Sequence, residues 1–170
     1  MAVILVTGMS GTGKSALLKE LGERGFRVVD TDIGVWIDEG AERLWREDRI
    51  DALIAEHELS REPLFIAGTV RNQGRFYPRF DEIVLLSAPL EVMLERIASR
   101  DSNPFGKTAV ERDKIIADTA EVEPLLRRSA TIEIDTRALH WPRRPANWKS
   151  WSEHEALVRA SGYAPVTYRP

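Results

Sequence analysis

Residues 8–15 read Gly8-Met9-Ser10-Gly11-Thr12-Gly13-Lys14-Ser15, a complete G-x-x-x-x-G-K-S pattern. Each part of it suits an anionic ligand. Gly8, Gly11 and Gly13 let the backbone around Thr12 curl so that several N–H groups point inward, and a following helix adds the positive end of its dipole. Lys14 supplies a point charge for the β- and γ-phosphates, and the Ser15 hydroxyl is placed to ligate Mg²⁺. The apolar run Val3-Ile4-Leu5-Val6 precedes the pattern, and a helical run from Ser15 to Leu21 follows it. Strand, glycine-rich loop and helix in that order predict a nucleoside triphosphate site, with ATP and Mg²⁺ as its ligands.

A second group with chemistry to offer is Asp30-Thr31-Asp32, at the end of the next strand-like run. Side chains alternate along a strand, so Asp30 and Asp32 leave on one side, at the carboxyl end where parallel sheets bind ligands. One carboxylate can support Mg²⁺, through water because the ion dehydrates reluctantly, while the other accepts a proton from a substrate hydroxyl. Arg71, Arg75 and Arg79 cluster further along. Guanidinium forks suit carboxylate or phosphate, so these residues, Arg71 foremost, predict a small anionic acceptor.

The elements that must position these residues follow from periodicity. Continuous apolar runs at Ala2–Val6, Phe26–Val29, Leu64–Gly68 and Glu82–Leu86, with the alternating segment Ala130–Asp135, read as five strands. Helical spacing appears after Gly13, from Ile33 to Arg61, from Pro89 to Arg100, and from Ala109 to Arg128. Thr69–Phe80 reads as a functional loop and Asp101–Thr108 as a break rich in turn residues. Strands alternating with helices imply an α/β fold of three layers around a parallel sheet. The reading divides the chain into a core over residues 1–137, with an acceptor cap at 33–62 and a lid at 101–112, and an extension over 138–170. That extension carries Trp141, Trp148 and Trp151 among prolines and cations, and a Ser152-x-x-Glu155 capping box. An extended strap packed on the core is the expected arrangement.

Composition narrows the classes. The chain has 170 residues, a net charge of −3 and 43% hydrophobic residues, which suits one domain with a real core and gives no global pull toward nucleic acid or anionic membrane. With no cysteine, disulfides, thiolate zinc sites and a Cys nucleophile are excluded. His57, His140 and His154 lack metal-ligand spacing and are expected on the surface or in loops. No secretory or membrane-spanning pattern opens the sequence, so the cytoplasm is the expected location.

Over roughly residues 1–137 the sequence resembles the shikimate kinase, gluconate kinase and adenylate kinase branch of small P-loop phosphotransferases. The phosphate loop, the Asp30-Thr31-Asp32 element, the Gly68-Thr69 turn and the lid-like break fall in that branch's order. The resemblance implies a P-loop NTPase fold with sheet order 2-3-1-4-5 and a mobile lid. It assigns Asp30 to magnesium and Asp32 to the acceptor hydroxyl. It places Trp45, Arg46, Gly68, Thr69 and Arg71 at the acceptor, and Arg100, Arg112 and Arg137 at the nucleotide, with Arg100 and Arg112 closing on the triphosphate. The pattern departs from shikimate kinases at Arg49, where those enzymes place a Glu, and at Gly68-Thr69-Val70, where they have three glycines. Dephospho-CoA kinase, nucleoside monophosphate kinase and an ATP-binding regulatory protein without an acceptor are the competing readings. A GTPase switch is disfavoured because no N-K-x-D or D-x-x-G follows the loop.

Overall fold

The computed structural model describes residues 2–40, 42–60, 62–101, 103–137 and 167–168. Strand β1 (Val3–Thr7) is buried along its whole length. It pairs in parallel with Leu64–Ala67 on one side and Glu82–Ser87 on the other. Outside these lie Arg27–Asp30, paired with Leu64–Ala67, and Ile132–Asp135, paired with Glu82–Ser87. Among these five parallel strands, taken in chain order, the arrangement is the expected 2-3-1-4-5. Thr167–Tyr168 adds a sixth, antiparallel strand beside Ile132–Asp135. In chain order the strands are β1 (Val3–Thr7), β2 (Arg27–Asp30), β3 (Ile37–Glu39), β4 (Arg43–Trp45), β5 (Leu64–Ala67), β6 (Glu82–Ser87), β7 (Ile132–Asp135) and β8 (Thr167–Tyr168).

The alternation of β1 shows why its apolar run is continuous. Ile4 and Val6 face one layer, where Leu17, Leu18 and Leu21 of α1 (Lys14–Glu23) pack with Phe65, Val84 and Leu86. Val3 and Leu5 face the other, where Ile50, Leu53 and Ile54 of α2 (Glu47–Glu58) pack with Ile66 and Ile83. A strand covered on both faces gains nothing from polar residues on either. Two further helices, α3 (Leu90–Ser99) and α4 (Ala109–Ser129), complete the fold around Met93, Leu85 and Leu126. Among the described residues, no helix is long and apolar enough to cross a membrane.

Two segments differ from the sequence reading. Within the stretch expected to be helical from Ile33, Ile37–Glu39 and Arg43–Trp45 pair as antiparallel β3 and β4, and helix begins only at Glu47. Gly34, with φ of 92°, and Gly40 interrupt any helix there. Ile37 and Trp45 pair directly, and Asn72 acts as a third strand would: its amide accepts from Trp45 N–H and donates to Trp45 C=O. Residues 73–79, expected within a loop, form a 3₁₀-helix. The expected strap and capping box at 138–166 lie outside the described residues.

Candidate functional site

The phosphate loop begins where β1 ends and α1 starts. Gly13 caps α1 in a left-handed conformation with φ of 98°, which a side chain would disfavour, and so turns the first free N–H groups of the helix into the loop. Lys14 bends back over the loop, its ammonium donating to the Gly8 and Met9 carbonyls. Burial pushes this ammonium below its ordinary value, and nearby Arg100 adds to that, while Asp32 and Asp30 oppose it. The four residues expected to share one reaction centre are therefore electrostatic neighbours.

Asp30 ends β2 and Asp32 follows it in a turn, while Thr31 between them is buried. The Ser15 hydroxyl donates to Asp30 Oδ2 across 3.2 Å, and Asp30 Oδ1 accepts from the Asp32 N–H at 3.0 Å. A serine hydroxyl beside one carboxylate is a hard oxygen set of the kind Mg²⁺ takes when phosphates and water complete its shell. Three clustered His, Cys, Asp or Glu residues are not needed for that, and the described residues hold no such cluster. Asp32 Oδ1 accepts from Arg43 at 3.4 Å, a partner on β4 that sequence reasoning missed.

The loop is held from both flanks. On the β5 side, the Thr69 hydroxyl donates to the Gly8 carbonyl at 2.8 Å and accepts from the Gly8 N–H, and lies 3.1 Å from the Thr7 hydroxyl. Buried Gln73 extends this network to Thr7 and to the Tyr77 hydroxyl. On the β7 side, Arg96 of α3 donates to the Gly11 carbonyl and to both oxygens of Thr136. Thr136 Oγ1 in turn donates to the Thr12 carbonyl at 2.9 Å, and Thr12 itself is buried. Thr69, expected at the acceptor, lines the cleft described below and also braces the loop, and Arg96 is a brace that only its one-turn spacing from Arg100 could have suggested.

Gly68 and Trp45 also change role. A Cβ on Gly68 would lie 2.2 Å from Thr31 Oγ1 and 3.1 Å from the Trp45 ring, so glycine is required for the close approach. Trp45 is only 2% exposed and packs edge-on against Phe76 and Phe80. Its indole N–H donates to Thr31 Oγ1, which donates to the Ala67 carbonyl. Trp45 therefore supports the Asp30-Thr31-Asp32 turn from below rather than meeting an acceptor. Arg46 stands exposed at the start of α2 with no side-chain partner among the described residues.

The arginines of the expected anion pocket are each paired with a carboxylate. Arg71 pairs with Glu42, Arg75 with Glu47, and Arg79 with both Asp51 and Glu58. Their four-residue spacing straps the 3₁₀-helix to the hairpin and α2. Exposed pairs of this kind contribute about 0–1 kcal/mol each, so they guide rather than dominate the packing.

At the lid, the Arg100 guanidinium donates to the Phe105 carbonyl at 3.0 Å and keeps a buried Nε without a partner. Burial lowers its proton affinity. Thr108 and Glu111 form a capping box at the start of α4, and Glu111 also accepts from the Gly106 N–H. Arg112, one residue on, is exposed and has no side-chain partner among the described residues. Arg137 pairs with Asp135 just beyond β7. His57, expected on the surface, is buried in α2, and its proton affinity is lowered by burial and by Arg27. Between the loop, the hairpin, the 3₁₀-helix and α4 lies a cleft of about 650 Å³ that reaches Met9 and Thr69.

Residues 4–117 match the AAA domain family. The chain belongs to that family. Curated relatives of this AAA domain chain include a nucleotide-binding protein of Cupriavidus pinatubonensis, 33% identical over 97 residues, covering 56% of this chain and 32% of that protein. Another, from Gluconacetobacter diazotrophicus, is 31% identical over 145 residues, covering 82% of this chain and 39% of that protein. The chain thus spans about a third of the length of these relatives. Among solved structures, shikimate kinase from Acinetobacter baumannii superposes with a TM-score of 0.53 at 22% identity, covering 85% of this chain and 86% of that one. Shikimate kinase from Bacteroides thetaiotaomicron gives 0.54 at 18% identity, covering 79% and 86%. At these identities the AAA domain chain shares with them the fold of small P-loop kinases.

Proposed function

We propose that the protein is an ATP- and Mg²⁺-dependent phosphotransferase acting on a hydroxyl of a small acceptor. The observation that carries this reading is the placing of Lys14, Asp30, Asp32 and Arg100 around one loop, with Asp30 bonded to Ser15 and Asp32 left free of the metal pair. A nucleotide-binding switch needs the first two; a reaction with an acceptor gives Asp32 a chemical task beyond its pairing with Arg43. The named kinases of similar fold add support to this reading.

In the proposed reaction the loop N–H groups and Lys14 bind the triphosphate, the ammonium exchanging its bonds to Gly8 and Met9 for phosphate oxygens. Ser15 and Asp30 would hold Mg²⁺, which supplies charge neutralisation at the β- and γ-phosphates. Asp32, steadied by Arg43, accepts the hydroxyl proton as the acceptor oxygen bonds to the γ-phosphorus and the bond to the β-phosphate oxygen breaks, leaving ADP and a phosphorylated acceptor. Arg100, with its unpartnered Nε, meets the charge that spreads over the transferring group. The cap over 33–62 would close the acceptor side and the lid over 101–112 the nucleotide side. The cytoplasm, which supplies ATP and Mg²⁺, is where such a reaction would run.

Replacing Asp32 by Asn keeps shape and removes charge. The expected result is intact ATP and Mg²⁺ binding with phosphoryl transfer slowed by about 10²- to 10⁴-fold, the range for a positioned base. Asp30→Asn should instead raise the Mg²⁺ concentration needed for half-maximal rate. Near wild-type acceptor-dependent ADP release from Asp32→Asn would overturn the proposal.

A further inference from the structure

The charges lining the 650 Å³ cleft are balanced, and each cation among them already has a carboxylate of its own. Arg71 is paired with Glu42, Lys114 with Asp118, and Arg43 with Asp32 beyond the cleft wall. Glu121, on the α4 wall, has no basic partner among the described residues. Among the described residues, a carboxylate or phosphate entering this cleft finds no surplus positive charge. To take Arg71 or Arg43 it must compete with Glu42 or Asp32, each a like charge to the newcomer. The triphosphate at the adjoining loop adds further negative potential.

Resting on the phosphotransferase reading above, we infer that the acceptor is a hydroxyl compound without a carboxylate or phosphate, neutral or carrying an amine that Glu121 meets. This departs from the anionic acceptor that the arginine count suggested. Those arginines are where the sequence places them, but the hairpin and α2 bring one acid to Arg71, one to Arg75 and two to Arg79.

The test is ADP release by the full chain with ATP and Mg²⁺ against a panel sharing carbon skeletons and differing in charge. The classes are sugar acids and sugar phosphates, neutral sugars and polyols, and amino sugars with amino alcohols. The expected result is at least about tenfold stimulation over the acceptor-free rate by neutral or amine members, a change equivalent to one decade in rate. Glu121→Lys, its fold checked by circular dichroism, should lower kcat/KM for amines and leave ATP affinity unchanged, with Glu121→Gln intermediate. Stimulation confined to acids and phosphates, lost in Arg71→Ala, would overturn this inference and leave the phosphotransferase reading standing. No stimulation by any class, with ATP still bound in calorimetry, would overturn that reading and this inference with it.

Discussion

Arg96 holds Thr136 twice, through Nη1 to the hydroxyl and through Nη2 to the carbonyl, while the same Nη1 reaches the Gly11 carbonyl at 3.3 Å. The half-buried guanidinium of α3 thereby ties the phosphate loop to the end of β7, and Thr136 closes the circuit on Thr12. A loop that must present N–H groups to phosphates needs its carbonyls held away from them, and this clamp does that at Gly11 and Thr12. Arg96→Met keeps the stem and removes the fork. Its expected effect is about a tenfold weaker ATP affinity, the loss of about one charge-assisted hydrogen bond's worth of preorganisation, with kcat changed less. Arg96→Lys should recover only part, because one ammonium cannot reproduce a planar fork. Calorimetric titration of ATP with both variants checks it, and equal affinities for wild type and Arg96→Met would show that the clamp serves stability alone.

The phosphate loop and the aspartates were legible in the sequence because they sit within short local segments: a strand, a turn and a helix within residues 3–23, and two carboxylates at the end of β2. The braces were not. Arg96, Thr136, Thr69 and Gln73 meet the loop and its approach across 61 to 124 residues of chain, and no local period marks a contact of that range. Trp45 shows the opposite failure. An aromatic beside Arg46 reads as a substrate contact, yet the hairpin turns its ring under Gly68, where it fills the core. The hairpin itself was hidden because Trp36, Ile37, Leu44 and Trp45 fit a helical spacing as well as a strand pairing, and only Asn72, brought from beyond β5, decides between them.

Lys14 is held below its ordinary proton affinity by burial, and a bound triphosphate brings negative charge to its ammonium. ATP binding should therefore be accompanied by proton uptake at alkaline pH, on the acid side of the ordinary lysine range. Calorimetry in two buffers of different ionisation enthalpy measures the protons taken up. Lys14→Ala should abolish the uptake and weaken ATP binding by about two orders of magnitude or more, as expected when a phosphate loses its buried cation. Uptake that persists in Lys14→Ala would assign the proton to another group.

His57 gives the fold a pH dependence unrelated to the site. Burial, with Arg27, keeps its folded-state affinity for a proton below the unfolded value of about 6.5. The stability tied to neutral His57 is fully present above that unfolded value and is lost as pH falls through the lower folded one. Denaturant midpoints should fall between about pH 7 and pH 5, and His57→Leu, close in volume, should make that fall shallower. A decline as steep in His57→Leu as in wild type would place the acid sensitivity in other residues.

Arg100 and Arg112 were expected to act together at the lid, and the structure separates them. Arg100 already lies under the lid, bonded to the Phe105 carbonyl, electrostatically coupled to Lys14 and with an unsatisfied buried Nε. Arg112 projects from the first turn of α4 into solvent, and nothing in the described residues holds it toward the loop. A contact made only as charge develops lowers kcat when lost, whereas a contact made equally throughout raises KM. Arg100→Ala should accordingly lower kcat by about 10²-fold or more with a small change in ATP affinity, in the range found when one preorganised donor is removed. Arg112→Ala should fall to a similar kcat only if lid closure swings α4's first turn onto the triphosphate; with the lid pinned by the Thr108–Glu111 box and the Glu111 bond to Gly106, its expected effect is below about threefold. Steady-state kinetics of the two variants, with Thr108→Ala to release the pin, separates these cases. If Arg112→Ala alone abolishes turnover while Arg100→Ala is silent, the assignment of the transition-state cation to Arg100 is wrong.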